Sequence, residues 1–305
     1  MNSRFTRFAW FLLVYNLAVV AWGAYVRASG SGAGCGNHWP LCNGEVVPQS
    51  PQIKTIVEFT HRLTSGVDGL LLITLVVLAF RIFPSGHVVR KTAAWSLALV
   101  ISEGLFGAVI VKLGHVAGNA STARGYTLAL HLCNTMFLLA ALALTAWYST
   151  ERPVKHEAEG KISWMLIVAA IGILVAGATG AITALGDTLF KSATLAEGIQ
   201  KDFSEFAHPF VRLRVFHPAL AVIPVMLIGM FCGSVLALPN PSAQMKRLSY
   251  LLILFVTLQV LMGALNLVLL APVPLQILHL LGADLLWITL VLLMAEERGA
   301  RGQRP

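Results

Sequence analysis

Eight long apolar runs, near residues 8–28, 57–81, 92–113, 124–149, 163–185, 212–238, 248–271 and 273–295, constrain this 305-residue chain more than any other feature. Each is close to the roughly 20 residues that a helix needs to cross about 30 Å of hydrocarbon. In lipid every backbone N–H and C=O must be paired within the protein, so a spanning segment is a helix or part of a closed barrel. Barrel strands alternate apolar with polar over short segments, whereas these runs are continuously aliphatic. The expectation is therefore an all-α integral membrane protein with eight transmembrane helices. A hydrophobic content of 57% against 12% charged residues, with a mean hydropathy of +0.76, excludes an ordinary soluble domain.

The net charge of +8 reads as topology rather than as nucleic-acid binding, because the basic residues fall in short breaks between the runs. With the N-terminus inside, cytoplasmic segments hold Arg4, Arg7, Arg81, Arg90, Lys91, Arg152, Lys155, Lys161, Lys246, Arg247, Arg298, Arg301 and Arg304, thirteen of the 22 basic residues. Both termini are then cytoplasmic. The first run is too long for a signal-peptide core, and no Arg-rich amphipathic extension precedes it, so an uncleaved helix in a bacterial plasma membrane is expected. Arg27, Arg62, Arg124, Arg212 and Arg214 lie at outer helix ends, against that pattern. They are either interfacial anchors or partners for an anionic ligand.

The chain also matches itself. "EFTHRLTSGVDGLLLI" aligns with "RLRVFHPALAVIPVML", His61 on His217; "LFGAVIVKLG" with "LMGALNLVLL", Gly107 on Gly263; and "LALHLCNTMFLL" with "LQILHLLGADLL", His131 on His279. Two four-helix bundles follow, residues 1–155 and 156–305. Four spans return the chain to its starting side, so the halves are parallel repeats with matching depths.

His61, His131, His217 and His279 all lie on spans that enter from the outside. They sit five to eight residues in, or roughly 8–12 Å. One intramembrane histidine is equally well a packing contact or a ligand; four at repeat-related positions favour ligation. Zinc fits poorly, since the one carboxylate adjacent in helix spacing is Glu58. A haem in a four-helix bundle needs axial imidazoles, small residues beside the ring and cations for its propionates. Gly66, Gly107, Gly177, Gly180 and Gly263 are candidate small residues, or plain helix-packing contacts.

The halves differ in charge. Glu58, three residues before His61 and on the same helix face, stands where the second half has Arg214. A partly desolvated carboxylate there suits proton transfer, or it pairs with Arg62. For the other intramembrane acids, Asp68, Glu103 and Asp284, no step is assignable, and packing hydrogen bonds are the default for Glu103 and Asp284.

"ASGSGAGCGNHWPLCNG" after the first run, "EFTHR", "LALHL", "VFHP" and "ILHLLGADLL" together resemble the haem A synthase family over essentially the whole chain. The resemblance implies oxidation of a methyl group of haem O to a formyl group, by two hydroxylations and loss of water, giving haem A for cytochrome oxidase. It implies a haem b cofactor between His217 and His279, the substrate haem between His61 and His131, and Glu58 as catalytic carboxylate. The topology sets the haem sites toward the extracytoplasmic side, and pathway logic adds an electron acceptor and a haem O-producing prenyltransferase as partners. The rivals are a di-haem b-type electron-transfer cytochrome and a haem chaperone or transporter.

Cys35 and Cys42 face the oxidising side in this topology, where disulfides persist. The six residues between them can close a loop, a staple contributing about 2–3 kcal/mol by loop entropy. A zinc site is poor, with His38 the only other strong ligand nearby. The family adds a redox or haem-handling role, and staple and redox role stay open together. Family members with a second outer cysteine pair differ from this chain, whose residues 186–211 hold none; Cys133 and Cys232 lie inside spans as packing residues.

Overall fold

The computed structural model describes residues 3–150 and 162–301, which leaves Arg152, Lys155, Lys161, Arg304 and the expected boundary at 155/156 outside the described residues. Among those described there are nine helices and no strand. They are α1 Ser3–Ala28, α2 Ile53–Ile82, α3 Val88–Lys112, α4 Thr122–Tyr148, α5 Trp164–Leu189, α6 Leu195–Asp202, α7 Pro209–Leu236, α8 Ala243–Val268 and α9 Val273–Arg301. All but α6 are long and apolar enough to cross a membrane. The apolar runs located these eight, but several helices begin earlier than their runs because side chains cap a polar first turn. The hydroxyls of Ser121 and Ser242 accept the Arg124 and Met245 N–H groups, and Nδ1 of His208 accepts from Phe210 ahead of Pro209. The short α6 went unread, although Thr194 caps Glu197 N–H and Glu197 Oε2 accepts back from Ala193 N–H in the manner of a capping box.

Contacts between helices follow two closed circuits. α1 packs on α2 and α4, and α3 joins α2 to α4; α5 packs on α7 and α9, and α8 joins α7 to α9. α2 and α4 thus stand diagonally in one circuit, as α7 and α9 do in the other. The circuits meet through α1, α4, α5 and α9, and half of the span residues in α4 and α9 are buried against 6% in α8. Gly172 lets Pro224 of α7 close on α5, where a Cβ would meet the proline ring at 3.0 Å.

The tightly packed core lies toward one end. It takes Phe5, Ala9 and Leu12 of α1, Leu72 and Leu75 of α2, Leu139, Leu142 and Trp147 of α4, Leu166 of α5, Phe231 of α7, Leu252 of α8 and Leu290 and Leu293 of α9. Toward the other end the buried apolar cluster shrinks to Ala129, Ile182, Leu185 and Phe210.

Candidate functional site

The four histidines occupy that sparsely packed end. His61 is the ninth residue of α2, His131 the tenth of α4, His217 the ninth of α7 and His279 the seventh of α9. All four are half-buried rather than enclosed by protein. Since α2 faces α4 and α7 faces α9 across the circuits, the imidazoles form two diagonal pairs.

Glycines seat three of the rings. A Cβ on Gly23 of α1 or on Gly180 of α5 would come within 2.9 Å of Cε1 of His61 or His217, and one on Gly263 of α8 within 3.3 Å of Cε1 of His279. Gly23 was missed in the sequence, yet it occupies in α1 the place of Gly180 in α5. Gly66 and Gly107 face open space, whereas Gly177 packs on α4, where a Cβ would stand 2.9 Å from Met136 Sδ. Nδ1 of His61 and of His279 has no hydrogen-bond partner, and that of His217 lies 3.2 Å from the Thr179 hydroxyl. Diagonal imidazoles, glycine-lined flanks and a core packed elsewhere fit a planar macrocycle. Among the described residues no group of three or more His, Cys, Asp or Glu is placed to hold a bare metal ion.

Helix spacing puts Glu58 alone among carboxylates near a histidine, and the structure adds Glu103. Its Oε2 lies 2.8 Å from His131 Nδ1, a short contact bent from the line of a strong hydrogen bond. Its Oε1 accepts from Asn134 Nδ2 at 2.6 Å and Thr135 Oγ1 at 3.1 Å. Asp68 accepts from Asn16 Nδ2 at 2.8 Å. Asp284 does not follow the packing default fully, because its buried Oδ2 has no partner.

Glu58 is buried, and both its oxygens are engaged. Oε2 accepts the Cys35 N–H at 2.9 Å, and Oε1 lies 2.6 Å from Arg62 Nη2. Arg62 donates further to the carbonyls of His38 and Leu41, and Thr55 donates to that of Gly34. The loop bearing the Cys35–Cys42 disulfide is thereby fastened to α2 directly above His61. Gly34 packs so tightly on the Lys54 carbonyl that no Cβ fits. In the second circuit Arg214 holds the equivalent position and fastens its own outer segment, through Asp187 at 2.7 Å, Asp202 at 3.2 Å and the Phe190 carbonyl.

The remaining arginines also have protein partners. Arg27 reaches from α1 to Ala184 O and Thr188 Oγ1 of α5 and to Gln276 Oε1 of α9. Arg124 donates to the carbonyls of Ala117 and Asn119, and Arg212 to that of Glu205. Cys133 and Cys232 are free thiols.

Fold and site together define an all-helical, multi-pass membrane protein with two diagonal histidine pairs suited to haem. The sequence model of the cytochrome oxidase assembly protein family, COX15-CtaA, matches residues 6–291, and the chain belongs to this family, that of the haem A synthases. A Thermus thermophilus protein named Protoheme IX farnesyltransferase is 44% identical over 302 residues, 98% of this chain and 50% of the relative. Proteins named Heme A synthase from Alkalihalophilus pseudofirmus and Bacillus mycoides are 33% identical over 163 residues and 34% over 146, covering 53% and 48% of this chain and 52% and 44% of theirs. The chain thus spans about half the length of the curated relatives it matches.

Proposed function

We propose that this protein is a haem A synthase of the plasma membrane, oxidising a methyl group of haem O to a formyl group. The observation that carries the reading is the inequality of two otherwise matched sites. Both circuits supply a diagonal histidine pair beside glycines, but only the first adds carboxylates, Glu58 and Glu103, next to its histidines. A carrier that only passes electrons between two haems can use a difference in potential, but it has no use for a proton-accepting carboxylate such as Glu58 at one of them.

In this reading residues 1–155 and 156–305 are parallel repeats with cytoplasmic termini. His61 and His131 hold the substrate haem, and His217 and His279 a haem b cofactor, on the extracytoplasmic side. In net terms the methyl carbon and one water give the aldehyde, with four electrons and four protons passing to an external acceptor. The bound irons supply the redox chemistry. The chain orients the ring through its imidazoles and glycines, and Glu58 takes a proton or stabilises charge at the reacting methyl. Arg27, Arg62, Arg124, Arg212 and Arg214 supply positive charge at the propionate level, through whichever donors their protein contacts leave free.

Farnesyl transfer is not proposed for this chain. Chemistry of that kind handles a diphosphate through Mg²⁺ on clustered carboxylates, and among the described residues no group of three or more Asp, Glu, His or Cys is placed to hold a metal ion. We assign it to the part of the Thermus protein that this chain does not match, and propose a separate prenyltransferase as the partner delivering haem O. The test is to express the protein in a membrane that makes haem O, purify it, and identify the extracted pigment by mass. Haem A or a hydroxylated haem O is expected. Haem b alone, with haem O demonstrably supplied, overturns the reading in favour of a di-haem electron carrier. Near-normal haem A formation in Glu58→Gln would remove Glu58 from the chemistry.

A further inference from the structure

We propose that Glu103 is a positioning residue that polarises His131 and so lowers the reduction potential of the iron held in the first circuit below that of the second. The inference rests on the haem-ligand reading above. Its basis is a concerted difference between the repeats. The register that sets Gly107 on Gly263 sets Glu103 on Gln259, four residues earlier on α3 and α8. The register that sets His131 on His279 sets Asn134 on Gly282 and Thr135 on Ala283. The carboxylate at His131 and both side chains that anchor it are thus replaced together.

The anchoring is one-sided. Asn134 Nδ2 and Thr135 Oγ1 donate to Glu103 Oε1, and Asn134 is itself fixed by the Ser102 hydroxyl at 2.7 Å and the Leu99 carbonyl at 3.0 Å. Glu103 therefore accepts from every neighbour, as a carboxylate does. In the second circuit the Gln259 amide lies 3.4 Å from His279 Nε2 and leaves its own Oε1 without a partner. It sits over Gly282, where a Cβ would meet Oε1 at 2.7 Å. His279 Nδ1 has no partner, and His217 Nδ1 meets a neutral hydroxyl. Among these four imidazoles, His131 alone has a carboxylate at its Nδ1. A carboxylate on the nitrogen opposite the metal raises the basicity of the ligand, which favours ferric over ferrous iron. Electrons at equilibrium then collect in the second circuit, away from the site where substrate is oxidised.

The test isolates the first circuit in the full chain with His217→Ala and His279→Ala, loads it with haem b, and titrates the potential optically with and without Glu103→Gln. The ferric-to-ferrous preference should fall at least tenfold, about 59 mV upward for one electron. Should Glu103→Gln not fold, Asn134→Ala frees the carboxylate from its anchor and should move the potential the same way by a smaller step. Gln259→Glu, in a His61→Ala and His131→Ala background, should move the second site downward. A haem retained with potentials unchanged within twofold in these variants overturns the role of Glu103 while leaving ligation intact. Failure of the first-circuit background to retain haem, with the helical fold preserved, overturns the ligand reading itself.

Discussion

Replacing Glu58 by Gln tests two roles at once, and the structure lets them be separated. The carboxylate accepts the Cys35 N–H through one oxygen and meets Arg62 through the other, at 2.9 and 2.6 Å. An amide has a single oxygen, so one donor keeps its acceptor and the other faces an NH₂ group. Losing a charge-assisted hydrogen bond at this buried position costs about 1.5–3 kcal/mol. The figure stays below the roughly 3–5 kcal/mol of a stranded buried charge, because Arg62 keeps the carbonyls of His38 and Leu41. At about 1.4 kcal/mol per factor of ten, the docked loop should lose on the order of 10- to 100-fold in its favour. Amide hydrogen exchange at Cys35, followed in detergent, reads this directly, and unchanged protection there would refute the docking account. Arg62→Gln removes two contacts of the loop and the pairing with Glu58, and leaves the carboxylate in place. If Glu58 acts on protons, Glu58→Gln abolishes haem A formation at any haem O supply, while Arg62→Gln, with a comparably loosened loop and one propionate-level cation fewer, needs more haem O but keeps turnover at saturation. Equal losses in the two variants would reduce Glu58 to a fastening.

Gly180→Ala should push His217 aside, since its Cβ would stand 2.9 Å from the ring, and overpacking of this kind costs about 1–3 kcal/mol; haem content per chain, measured by pyridine haemochrome, should fall by one site. Gly23→Ala should do the same at His61, and a full haem complement in both variants would refute the seating of these rings. Cys35→Ser or Cys42→Ser should relax the outer loop by about 2–3 kcal/mol, read as faster proteolysis between residues 29 and 52. Arg27→Met removes the three hydrogen bonds that tie α1 to α5 and α9 and should lower the thermal midpoint in detergent, each bond being worth about 1.5–3 kcal/mol. An unchanged midpoint would show that the Arg27 bonds do not hold the circuits together, leaving apolar packing and the Trp287-to-Met136 hydrogen bond to do so.

The eight spans were legible because a continuous apolar run has one outcome in a bilayer, and the histidines because they recur at matched places within those runs. Helix starts were less so: α2 reaches back to Ile53 through Lys54 and Thr55, polar residues that an apolar count excludes and that the cysteine loop holds in place. The Thr194-to-Glu197 capping pattern would have located α6. The destination of Arg27 was hidden, as its acceptors come from two helices far along the chain. Glu103 was hidden for a similar reason, since nothing in local spacing ties α3 to His131. The internal repeat held the clue, for the alignment of Gly107 with Gly263 already sets Glu103 against Gln259.

What the circuits share and what they do not share divide along one line. The shared features are spatial: diagonal placement of the histidine helices, Gly23 and Gly180 beside matched imidazoles, and a core confined to the far end. These are what a planar macrocycle requires of a bundle. The unshared features are charges. Glu58 and Arg214 stand at one repeat position and each fastens an outer segment to its helix, but with opposite sign. A fastening alone does not dictate a sign, because backbone offers N–H to the one and C=O to the other. The sign is free to follow the chemistry below it. In the proposed reaction protons and electrons leave a methyl group at the first histidine pair, where the chain places Glu58 and Glu103. The second circuit carries Arg214 and the neutral Gln259 in their places, which suits the proposed role of a site that only holds an electron in transit.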